Sequence, residues 1–217
     1  MRNWNVSCIV AGLVMIASAA PAATFTFNTD PFAGTPVLTA PGRQVVGGEL
    51  FINFNIATDV FSMDSSVFQV GSTVRFANDP VLAVPADPNV VVLETFDNDN
   101  DPLSPFGASQ AADLIASRVT TPGAGFFIYF NQSLNLARLV YSTDLSSTSS
   151  DLKILARMLN LFGDEGKNEL PNFTATNFEF TGASSSAAPE PSGFVMIACG
   201  ILFVACSWLL GRRPARP

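Results

Sequence analysis

From Pro191 to Gly211 the chain carries no charged side chain, and Arg212, Arg213 and Arg216 follow at once. Within this stretch, Gly193–Leu210 would cover roughly 27 Å as a helix, enough to span a thin bilayer. The run offers no charged face to water, so a transmembrane helix is expected over 193–211. The basic tip, 212–217, is expected to stay in the cytoplasm and stop translocation, with the rest of the chain outside. The N-terminus has a matching layout. Arg2 precedes an apolar core from Cys8 to Ile16, and small residues follow. This is the three-part pattern of a secretory signal peptide, expected over 1–22. Ala20-Pro21-Ala22 offers an A-x-A site with cleavage before Ala23, and Ala17-Ser18-Ala19 is the second choice.

Removing both ends changes what is left. Ala23–Ala187 carries 17 acidic and 7 basic groups, a net charge of −10. A surface this acidic repels phosphate backbones, so no nucleic-acid partner is expected. All three cysteines and both tryptophans lie in the terminal segments, and the chain has no histidine. The middle therefore has no disulfide framework and no thiolate chemistry. About 160 residues are still enough to bury an apolar core without one.

The middle is rich in Phe, Val, Thr, Asn, Gly and Pro, which are strand and turn residues. In "ELFINFNIA" Leu50, Ile52, Phe54 and Ile56 alternate with Asn53 and Asn55, as in a half-buried strand. Phe126–Phe130 and Leu134–Tyr141 read as a hairpin around Asn131-Gln132-Ser133. Val67–Val70, Thr73–Phe76, Val90–Phe96 and Asn172–Phe180 are further strand candidates. A helix is expected in "GASQAADLIASRV", with Ser109 as its N-cap. Asp151–Phe162 fits a helix or a doubly buried strand, and the flanking strands favour a strand. Together these patterns predict a mainly β domain over 23–182, of β-sandwich or jelly-roll type, with one or two short helices. Residues 183–192 read as a flexible linker.

Most chemistry is excluded by residue type. Without histidine there is no Ser-His-Asp or Cys-His base, and the middle has no Cys or His to hold zinc or a redox metal. No cofactor is expected, with Ca²⁺ as the one candidate ion. Asp97, Asp99 and Asp101 alternate with Asn98 and Asn100, and oxygens so spaced can wrap a hard cation. Pro102 and Ala108 break the EF-hand pattern, so two readings stand: a solvated turn capped by its own side chains, or a Ca²⁺ site. A glycosidase would need two carboxylates across a cleft, and no local motif marks such a pair. Sugar-binding platforms among Trp and Tyr are limited to Tyr129 and Tyr141. "STDLSSTSS" reads as a polar loop that could carry glycans.

Pro189-Glu190-Pro191, followed by Ser192, the apolar run and the arginine tip, resembles a PEP-CTERM sorting signal. Ala188 stands where that family usually has Val, and prolines interrupt the basic tip. The resemblance covers about Ala188–Pro217. It implies a Gram-negative bacterium that makes exopolysaccharide, export through the Sec machinery and signal peptidase, and recognition by an exosortase. The chain would be anchored first in the inner membrane with its domain in the periplasm. Cutting near Pro189-Glu190-Pro191 would then send the domain to the cell surface or matrix. The resemblance implies no particular role for the domain in front of the signal; a middle without His, Cys or Trp is expected to be structural or adhesive and not enzymatic. The alternatives are a Ca²⁺-dependent or glycan-binding surface module and, third, a carboxylate glycosidase. Prolines suit the motif to recognition, because Pro191 lacks an N–H and biases Glu190 toward extended chain.

Overall fold

The computed structural model describes residues 21–37, 40–101 and 104–182. Most of the signal segment lies outside the described residues. So do the linker, Pro189-Glu190-Pro191, the apolar run and Arg212, Arg213 and Arg216. Among the described residues no helix is long and apolar enough to cross a membrane.

The described chain is mainly β, with two sheets and few helices. The smaller sheet holds β1 (Thr24–Phe27), β4 (Val60–Asp64) and β10 (Phe178–Thr181), with β4 in the middle and both neighbours parallel to it. Thr24 pairs with Val60 at one end of β4, and Thr181 pairs with Asp64 at the other. The larger sheet begins with β2 (Val45–Val46) and β3 (Leu50–Ile52), both parallel to β9 (Leu152–Phe162). It continues through β8 (Leu136–Ser142), β7 (Gly125–Asn131), β6 (Val90–Leu93) and β5 (Phe76–Asp79). The β9–β8–β7 pairs are antiparallel, and β7, β6 and β5 run parallel.

The central strands are buried on both faces, and alternation sorts their side chains between two cores. Val90, Val92, Phe126, Ile128, Leu139 and Tyr141 face the small sheet. There they meet a phenylalanine cluster in which Phe61 of β4 stacks on Phe54 at 4.1 Å and touches Phe25, Phe27 and Phe178. Val91, Leu93, Phe127, Tyr129 and Val140 face the other way, against α2 (Ala108–Ala116). That helix buries Ala108, Ala111, Ala112 and Ile115, one stripe at helical spacing. Three alanines in the stripe let it lie close to the sheet.

The expected hairpin forms as β7–β8, and the strand expected over Val90–Phe96 forms as β6 but ends at Leu93. Asp151–Phe162 is the long strand β9 and not a helix. Five local expectations are corrected; one is the strand over Thr73–Phe76, since β5 starts only at Phe76 and runs on to Asp79. The N-cap of α2 is Gly107 and not Ser109, with the Gln110 Oε1 accepting from the Gly107 N–H at 3.2 Å. Val67–Val70 is not a strand: Ser65–Phe68 forms a one-turn helix, α1, because the Asp64 carboxylate accepts from Ser66 N at 2.9 Å and Gln69 closes the turn in the left-handed region. β3 stops at Ile52, and Leu50 is 49% exposed, although Ile52 and Phe54 are buried as the alternation requires. Asn172–Asn177 is coiled into 3₁₀ turns, so the last strand starts only at Phe178.

Candidate functional site

A cleft of about 560 Å³ opens where the end of β9 meets α3 (Gly163–Glu169). Asn55, Ile56 and Ala57 form one side. Asn160 and Leu161 form the floor, and Glu165, Glu169 and Asn172 form the far wall. The sequence builds it locally in three steps. Asn160 locks β9 to the preceding turn as a strand neighbour would: its Oδ1 accepts from Phe54 N at 2.7 Å and its Nδ2 donates to Phe54 O at 2.9 Å. Gly163, at φ +66°, then turns the chain out of the strand. Gly166 finally lets α3 lie directly on the strand end, since a Cβ there would sit 2.2 Å from the Leu161 carbonyl carbon.

Asp164 and Glu165 occupy the first turn of α3, where the helix dipole favours negative charge. Lys167 pairs with Asp164 at 3.1 Å and lies over the Phe130 ring, fixing the helix on its inner side. Glu169 Oε2 accepts from Asn172 Nδ2 at 2.8 Å. Glu165 and Glu169, four residues apart, share one helix face and therefore one wall. The cleft presents amides and carboxylates together with the apolar side chains of Ile56 and Leu161. Such a lining matches neutral, hydroxyl-rich ligands: carboxylates accept from hydroxyls, and amides both donate and accept.

A second polar centre lies on the outer face of the large sheet. Glu49, its side chain 7% exposed, receives Arg138 Nη2 at 2.9 Å and the Arg157 guanidinium on the same oxygen. Arg157 also covers the Phe51 ring at 5.2 Å, and Asn131 Nδ2 donates to the Tyr129 hydroxyl beside Arg138 at 3.0 Å. Burial alone would raise the Glu49 pKa. The N–H groups of Glu49 and Gly48 and the two arginines outweigh it and hold the carboxyl down at about 2. Burial pushes the Tyr129 hydroxyl up. This centre is closed by its own charges and fastens β3 to β8 and β9. Beside it Phe51 and Leu159 are exposed, Phe51 to 63%.

The residues singled out in the sequence are placed as follows. Asp97 Oδ1 accepts from the N–H of Asp99 and of Asn100, and Asp99 accepts from Asp101 N and the Ser104 hydroxyl. The backbone folds around these carboxylates as a capped turn. Among the described residues no three acidic side chains come together to hold a metal. Tyr129 and Tyr141 are buried and offer no sugar platform. Tyr141 donates to Phe68 O at 2.9 Å, and burial, with Asp30 adding to it, pushes its hydroxyl up to about 12. The serine-rich stretch is a hydrogen-bonded loop. Arg43 donates to the carbonyls of Ser147 and Ser150 and pairs with Asp113 of α2 at 2.8 Å. Sequence reading missed the cleft, whose walls lie about a hundred residues apart. Its one local signal is the pair of glycines flanking Asp164-Glu165.

The chain matches no family model, no curated protein and no solved structure.

Proposed function

We propose that this chain is an exported protein, sorted through Pro189-Glu190-Pro191 by an exosortase to the cell surface or exopolysaccharide matrix. There its sandwich-type ectodomain serves a structural or adhesive role without catalysis. The cleft between Asn55 and α3 is its contact for neutral polysaccharide. The observation that carries the binding part is the lining of that cleft, with Glu165, Glu169 and Asn172 together with Ile56 and Leu161. The net charge of −10 on Ala23–Ala187 favours a neutral over an anionic polymer. The exposed Phe51 and Leu159 add an apolar contact surface. The glycosidase alternative is disfavoured because Glu165 and Glu169 stand on one wall, whereas that chemistry needs carboxylates flanking the bond.

Two measurements test the reading. Co-sedimentation of the full chain with the host's own exopolysaccharide is expected, and a Glu165→Gln/Asn172→Ala variant should lose it by about tenfold. Equal sedimentation of both proteins would remove the cleft from the function. Replacing Pro189-Glu190-Pro191 by alanines should leave the precursor at its unprocessed mass in the membrane. Maturation to the wild-type size and location would refute sorting through this motif.

A further inference from the structure

Asp59 is a buried carboxylate, 5% exposed, and the groups acting on it are all neutral. Its Oδ1 accepts from Ala23 N at 2.9 Å and from the Thr58 hydroxyl at 3.1 Å, and its Oδ2 accepts from Asn55 N at 2.8 Å. Asn177 Nδ2 holds the Asp59 carbonyl at 3.0 Å. Among the described residues no cation pairs with it. Burial raises its pKa, but the N–H groups of Ala23 and Asn55 and the Thr58 hydroxyl outweigh burial and hold it below the usual carboxylate range, so a charged carboxylate sits here with neutral donors alone. One of those donors lies at a special place in the chain. Pro21 and Ala22 are exposed, Ala23 is half-buried, and Ala23 O accepts from Val60 N at 3.0 Å as β1 begins. The border between free and packed chain therefore falls at the Ala22–Ala23 bond, directly after the small residues Ala20 and Ala22.

We propose that Asp59 is the seat of a processed N-terminus: cleavage between Ala22 and Ala23 puts the α-ammonium of Ala23 on the Asp59 carboxylate. Water adds across the Ala22–Ala23 amide under a signal peptidase. Ala22 departs with the new carboxylate, and Ala23 keeps the amine, which takes up a proton at neutral pH. The hydrogen bond already drawn from Ala23 N becomes an ion pair, and the remaining ammonium protons face solvent. Cleavage thus gives the Asp59 carboxylate a cationic partner in addition to its neutral donors. The proposal rests on the export reading, because only an exported chain meets a signal peptidase. The other charged groups on the neighbouring elements are Glu165 and Glu169 across the cleft from Asn55–Ala57, Lys167 of the same helix, which pairs with Asp164, and Glu179, which accepts from the Ser62 hydroxyl. Carboxylates titrate far below the range of an α-amine.

Intact-mass analysis of the protein recovered from its host separates the two claims. A chain beginning at Ala23 is expected. A chain still beginning at Met1 overturns export, while one beginning at Ala20 leaves export standing and overturns the seat. On the processed protein, the α-amine should acylate at pH 7 at least tenfold more slowly than an unstructured α-amine; equal rates overturn the proposal. Pairing with Asp59 raises the amine's pKa above its usual value near 8, so the stabilisation is complete below about pH 8 and lost as pH rises through the folded value. The melting temperature should then fall by roughly 3–6 °C for each tenfold of coupling between about pH 8 and 10. An Asp59→Asn protein should lack that step, and an identical step in both overturns the assignment.

Discussion

Glu49→Gln isolates the charge centre on the outer face of the large sheet. The substitution keeps the shape and removes the charge that holds Arg138 and Arg157 together. In the wild-type domain the carboxyl titrates at about 2 instead of 4.5. Each unit of such a shift is worth about 1.4 kcal/mol, so the linkage amounts to about 3 kcal/mol. The sign follows from the depressed value. The contribution is complete above about pH 4.5 and is lost as pH falls toward 2, where the folded form also takes up a proton. At pH 7 the variant should lose about 3–5 kcal/mol, because two cations then face each other around a neutral amide. Urea unfolding at pH 7, 4.5 and 3 measures both proteins. Wild type should weaken from pH 4.5 to 3 by more than the variant does, and the two curves should converge. Parallel pH profiles for the two proteins would refute the reasoning, since they would mean that Glu49 contributes nothing through its charge.

Phe61→Ala should cost about 3–5 kcal/mol, because the ring is fully buried and touches four other rings across the inter-sheet core. Calorimetry should show the melting temperature lower by roughly 2–4 °C per kcal/mol. Gly166→Ala should destabilise by about 2 kcal/mol or more, since the new methyl meets the backbone of Leu161 and not a flexible side chain. Circular dichroism melting checks it, and an unchanged midpoint would mean that α3 is not seated on β9 as described. Millimolar Ca²⁺ should leave the melting temperature unchanged, because Asp97 and Asp99 already accept from their own turn. A rise of several degrees would favour the cation reading.

Alternation made the middle of the large sheet legible. Val90–Leu93 and Phe126–Phe130 have no polar side, so they can only be strands covered on both faces, and β7–β8 follows from two such runs around a short polar turn. The same signal misled at Val67–Val70. There a capping carboxylate at Asp64 and a left-handed Gln69 outweighed β propensity, a local polar effect that hydrophobic pattern does not contain. The parallel pairing of β2 and β3 with β9 joins residues about a hundred positions apart and left no trace in spacing. The cleft was hidden for the same reason: Asn55 and Glu165 share no motif, and only the close approach at Gly166 brings their segments together. Asp97, Asp99 and Asp101 were visible as a cluster, but spacing alone does not tell a carboxylate that wraps an ion from one that caps its own backbone.

The three-stranded sheet has a mechanical consequence. β1 and β10 flank β4 in the same direction, and the chain joins the sheet near Val60 and leaves it near Asp64. A pull between the two ends of the domain therefore acts along the strands and not across them. The four registered pairs on each side of β4 resist together, instead of opening one after another like a zipper. A domain held at its C-terminal side and loaded from elsewhere would yield under tension only when a whole strand slides.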